Sequence, residues 1–147
     1  MKSIYRVVEF TRLDTEVVME KWREFKKGSI PKDIYMVTLK NGEEGLTIKL
    51  TGHDNVVEIL FGCVRAIRML DEGVVIDGFY SQDAVEEYKE NKFDNVIYSV
   101  NDGSFKKEVL SSSGGFYSES DLQHYIVVNQ NFCIDVITEW DPIISLL

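Results

Sequence analysis

The chain has two histidines, His53 and His124, so any imidazole-based chemistry must be built around one of them. His124 opens the segment "HYIVVNQNFCIDVIT", which carries Asp135 on its far side. A histidine and a carboxylate make a base and its orienting partner when they come within hydrogen-bond reach. The turn decides whether they do. With a two-residue Gln130-Asn131 turn, Ile126 faces Asp135, and His124 and Asp135 share a face as a diagonal pair about 7–8 Å apart at the backbone, a long reach for two short side chains. With a three-residue loop, Tyr125 faces Asp135 and His124 lies on the other face. A histidine at a strand start serves structure more often than catalysis, so an enzyme built on His124 and Asp135 ranks last among three functional readings.

The second candidate is "FGCVRAIRMLDEG". As a strand it sends Cys63, Arg65, Ile67 and Met69 one way and Val64, Ala66, Arg68 and Leu70 the other. Each face is otherwise apolar and holds one arginine, so at least one guanidinium is expected to be sheltered and to need a partner. Asp71 and Glu72 are its neighbours in sequence. Such an arginine clamps an anion or a partner's carboxylate, or it is an internal ion pair or snorkelling stem, the more common outcome. The ligand reading combines Arg68 or Arg65 with His124 and Tyr125 in a small-molecule or anion site.

Other chemistry is poorly served. His53-Asp54 supplies two ligands in one turn, which is short of a metal site. There is no H-E-x-x-H, G-x-S-x-G or P-loop spacing, and no cofactor is expected. Cys63 and Cys133 stand alone within apolar segments, where a thiol is inert, and read as core residues of a reducing compartment. Trp140, followed by Asp141 and Pro142, is the aromatic placed to anchor a protein partner. The formal charge of −9 argues against nucleic acid, which needs a basic footprint. It suits solubility, or a basic protein partner. No apolar run reaches the roughly 18 residues of a membrane span, and "MKSIYRVVEF" lacks the features of a leader. The expected location is the cytoplasm.

The elements that must position these residues follow from periodicity. "SIYRVVEF" is a possible first strand. "DTEVVMEKWREFKKG" predicts a helix: Asp14 or Thr15 caps it, Val18, Trp22 and Phe25 form its apolar face, and Pro31 lies beyond it. "DIYMVTLKNGEEGLTIKLTG" predicts a hairpin with a turn signal at Asn41-Gly42 and a loop longer than two residues. Gly52–Asn55 is a second turn. For Val56–Gly73 a helix would place Glu58, Arg65, Arg68 and Glu72 on one stripe. The β-branched load and Gly62 favour two strands instead, as does the preceding hairpin, since a meander continues by adding an adjacent antiparallel strand. Ser81 starts a short helix to Asn91 with Ala84, Val85 and Tyr88 inward, "NVIYSV" is a strand, and Ser104 starts a second short helix. The tail "PIISLL" docks back on the core.

The order of "FGCVRAIRMLDEG", "VIYSVNDGSF" and "HYIVVNQNFCIDVIT" followed by Pro142 resembles a pattern in small uncharacterised bacterial proteins, some of them similar to immunity proteins of toxin systems. The likeness covers the C-terminal two-thirds and departs from the pattern by lacking a tryptophan in "SFKKEVL". It implies strands in the middle of the chain and a protein-binding role. The fold expected is α+β, one globular domain holding a single antiparallel twisted sheet of about six or seven meander-like strands, an N-terminal helix and two short helices. The leading functional reading is a non-enzymatic, possibly immunity-like domain whose acidic surface occupies a basic protein.

Overall fold

The computed structural model describes residues 20–71, 80, 82–89, 95–129 and 131–147. The predicted strand over 3–10, the helix positions 14–19, Glu72 and the proposed Ser81 cap lie outside them.

Alternation builds the first hairpin. Strands β2 (Met36–Gly42) and β3 (Gly45–Thr51) pair antiparallel from Met36–Thr51 to Gly42–Gly45, with Leu46, Ile48 and Leu50 buried and their neighbours turned outward. The turn is the two-residue Glu43-Glu44, later and tighter than the Asn41-Gly42 signal predicts. Gly45 makes this possible: its φ is 125°, and a Cβ there would run into the Phe61 carbonyl, so the residue must be glycine.

The middle of the chain is extended, as the β-branched load predicts. β4 (Val56–Phe61) and β5 (Val64–Asp71) are separated by Gly62 and Cys63, the latter at φ 50°. They do not pair with each other. β4 stays beside β3, whereas β5 crosses to a second sheet. The remaining elements are β1 (Lys21–Glu24), α1 (Gln82–Lys89), β6 (Ile97–Asn101), α2 (Ser104–Ser112), a 3-10 turn at Glu119–Asp121, β7 (Gln123–Val128), β8 (Phe132–Thr138) and β9 (Ile143–Leu146). One sheet has the order β1-β6-β7-β8-β5 and the other β2-β3-β4-β9. Antiparallel sheets with short helices agree with the expected α+β class. The single sheet does not: there are two, because the chain changes sheet between β1 and β2, at Gly62 and again after β8. The tail docks as expected, as β9 against β4.

The predicted N-terminal helix is corrected where it can be seen. Lys21–Glu24 is strand β1, paired with Tyr98–Asn101. Spacing at Val18, Trp22 and Phe25 fits a helix, but a long-range partner outweighs local preference. Trp22 is buried against Tyr80, Tyr88 and Tyr98, and the indole alone recovers about 1.5–3 kcal/mol or more on burial.

The two sheets face each other over one core. Ile48, Ile59 and Phe61 from one meet Tyr125, Val127, Ile134 and Val136 from the other. The five-stranded sheet is apolar on its second face too, where Trp22, Tyr98, Ile126 and Val128 pack with Tyr80 and, from α1, Val85 and Tyr88. That is why β7 and β8 read as nearly unbroken apolar runs instead of alternating. Among the described residues no helix is long and apolar enough to cross a membrane.

Candidate functional site

The β7–β8 hairpin takes the two-residue register. Val128 pairs with Cys133 and Ile126 with Asp135, and the Asn129 N–H donates to the Phe132 carbonyl at 3.0 Å. The Asn129 side chain shapes the turn, accepting from the N–H groups of Asn131 and Phe132. This register puts His124 and Asp135 on the helix-facing side of the sheet, and they reach each other: Nε2 lies 2.7 Å from Oδ1. From the other side of β8, β5 supplies a third participant.

Arg68 pairs directly with Asp135 in the β5–β8 ladder. Its Nε and Nη2 each sit 3.0 Å from Oδ2, and the Tyr80 hydroxyl donates to that same oxygen. Asp135 has no exposure at all, so its desolvated carboxylate is held by a cation and two further donors. Arg68 is the sheltered guanidinium that the alternation predicts, with 18% of its side chain exposed, and it pairs with Asp135 across the sheet. Its planar head lies between two rings, 4.5 Å from the Phe105 centroid and 5.1 Å from that of Tyr80, contacts worth about 0.5–2 kcal/mol. Burial first, then the Asp135 carboxylate beside it, pushes the Tyr80 hydroxyl far above the ordinary tyrosine range.

A carboxylate only accepts hydrogen bonds, so Nε2 carries a proton and donates to Asp135. In an acid–base dyad the other ring nitrogen, Nδ1, would exchange a proton with the substrate. Here Nδ1 is buried and has no hydrogen-bond partner among the described residues. It is pressed against Gly103 at the start of α2, where an added Cβ would stand 2.6 Å from Nδ1 and 2.8 Å from Cε1. The Phe105 ring packs edge-on to the imidazole at 6.0 Å. The arrangement is a neutralised, aromatic-walled polar centre closed by α2.

The other sequence candidates lie elsewhere. Arg65 projects outward and forms an ion pair with Glu139, 2.7 Å from Nε and 2.5 Å from Nη2. It does not converge with Arg68. Tyr125 turns to the inter-sheet core, packs edge-on with Phe25 at 5.0 Å and donates its hydroxyl to Asp141, so it does not join His124 in one pocket. Asp71 is exposed at the end of β5, opposite Phe132, and Glu72 is outside the described residues. Trp140 is 62% exposed, with the edge of its ring over Gly62 at the corner where the chain changes sheet. Sequence reasoning missed Tyr80, Phe105, Gly103 and Glu139. All four reach the candidates through long-range contacts, and no local pattern announces them.

Among the described residues no group of three or more His, Cys, Asp or Glu side chains is placed to hold a metal ion. No protein-family model, curated protein or solved structure matches the chain.

Proposed function

We propose that this protein is a non-enzymatic binding domain of the cytoplasm whose acidic surface occupies a basic protein, with Trp140 as the aromatic anchor. The observation that carries the reading is Trp140 itself, a large aromatic left 62% exposed between Glu139 and Asp141 on a chain of net charge −9. An exposed tryptophan on an acidic chain offers a partner both a contact worth burying and a field that draws it in. The excess acidic side chains support the same reading, since Glu43, Glu44, Asp54 and Asp121 stand at exposed turns. The resemblance to immunity proteins gives this binding its specific form, in which the basic protein is a toxin.

The chemistry of the polar centre weighs on the same side. Arg68 faces Asp135, Arg65 faces Glu139, and Nδ1 of His124 is buried against Gly103. A native pull-down from the source cells at low ionic strength tests the proposal. The expected result is retention of a basic protein that salt releases and that Trp140→Ala fails to retain. Recovery of no partner at low salt would count against it.

A further inference from the structure

Among the described residues each sheet ends in two edge strands, and three of the four are guarded by charge. β1 carries Lys21, Arg23 and Glu24, β2 carries Lys40, and β5 carries Arg65, Arg68 and Asp71 together with a register shift between Val64 and Ala66. Charges and bulges are the usual means of keeping an edge from recruiting another strand. β9 has neither, reading Ile-Ile-Ser-Leu.

Its free side can be derived from its bonded side. The Leu147 N–H donates to the Val56 carbonyl at 2.8 Å, in line with the pairing of Leu146 with Val57. Antiparallel ladders alternate, so Ile143, Ser145 and Leu147 direct their backbone groups to β4. The N–H and C=O groups of Ile144 and Leu146 then face away from the sheet, and among the described residues no backbone hydrogen bond outside the ladder engages them. Along this edge Ile143 is 62%, Leu146 57% and Leu147 68% exposed. Trp140 stands just before the strand, and Glu58 lies opposite the small Ser145 on the neighbouring strand.

We propose that β9 is a docking strand to which a basic partner adds an extended segment that alternates Lys or Arg with apolar residues. This deepens the binding role proposed above and rests on it. The partner's backbone would bond to Ile144 and Leu146, its apolar side chains would lie beside those of Ile144 and Leu146 on the face shared with Ile59 and Val57, and on the opposite face a cation beside Ser145 would reach Glu58. Charge selects this occupant over a second copy of the chain, which would bring another net −9 to the contact.

The test uses the full chain and a synthetic peptide of alternating Lys and Val, with an alternating Glu and Val peptide as control, followed by titration and by amide hydrogen exchange. The Lys–Val peptide alone is expected to bind and to slow exchange at Ile144 and Leu146. Leu146→Pro removes an outward N–H without touching the bonds to β4, and Ser145→Lys puts a positive charge beside Glu58 while changing only an exposed side chain. Each is expected to weaken the peptide about tenfold. Binding that leaves those amides unprotected and both variants unaffected would overturn the docking strand but not the basic-partner reading. Failure of the Lys–Val peptide to bind, with no basic protein retained from cells, would overturn both. Protection of the same amides by concentration-dependent dimerisation would replace the basic segment with a second copy and overturn this inference alone.

Discussion

Asp135 is the residue on which the interior depends most. It accepts from Arg68, Tyr80 and His124 with no water contact, and removing one member of such a set strands the opposite charge. Asp135→Ala is expected to cost about 3–5 kcal/mol, a large part of the 5–15 kcal/mol typical of a domain, read from denaturant unfolding. A loss below about 1 kcal/mol would mean that Arg68 is solvated after all. Alkali probes the same centre. Because burial and the nearby carboxylates raise the folded values of Tyr80 and Tyr125, the fold holds both phenols neutral. Their contribution is therefore complete below the unfolded tyrosine value of about 10 and declines as pH climbs toward the higher folded values. Tyr80→Phe should make that decline shallower. An unchanged slope of stability against pH above about 10 would remove Tyr80 from the account.

Turns and strands show how far local pattern reaches. The β2–β3 hairpin, the extended middle of the chain, helices starting near Ser81 and Ser104, and the docked tail all follow from alternation and capping chemistry within a few residues. Counting across one turn leaves two registers for His124 and Asp135; the two-residue one is realised, and the pair that looks too far apart for a direct bond makes one at 2.7 Å. What escaped was set by distant partners. β1 looks helical until Tyr98–Asn101 lies beside it, nothing local sends β5 away from the first sheet to β8, and nothing near Arg68 in sequence points to Phe105. One turn is held by a single side chain. The Asp33 carboxylate accepts from the backbone N–H groups of Ile34, His53, Asp54 and Asn55, and from the Asn55 amide. These donors, led by that of Asp54, hold it well below the usual carboxylate range. A lowered value in the fold stabilises above the unfolded value of about 3.9 and is lost as pH falls toward the folded one. Unfolding followed from about pH 5 to about pH 2 should therefore show a loss that Asp33→Asn reduces, and equal acid sensitivity of the two proteins would exclude this role.

At the scale of the molecule, three layers divide the labour. The four-stranded sheet and the five-stranded sheet enclose one core, and α1 and α2 close the other face over the polar centre. Arg68, His124 and Asp135 are thus turned inward, while Trp140 and the apolar residues of β9 remain exposed. The binding role proposed above rests on that outer surface, and the long-range field of the acidic chain should make association depend on ionic strength. The decisive measurement is calorimetric titration of the purified chain with the basic protein it retains, at about 0.03 M and about 0.15 M salt. Affinity that falls with salt and is lost in Trp140→Ala is the predicted result; affinity indifferent to both would contradict the proposed role.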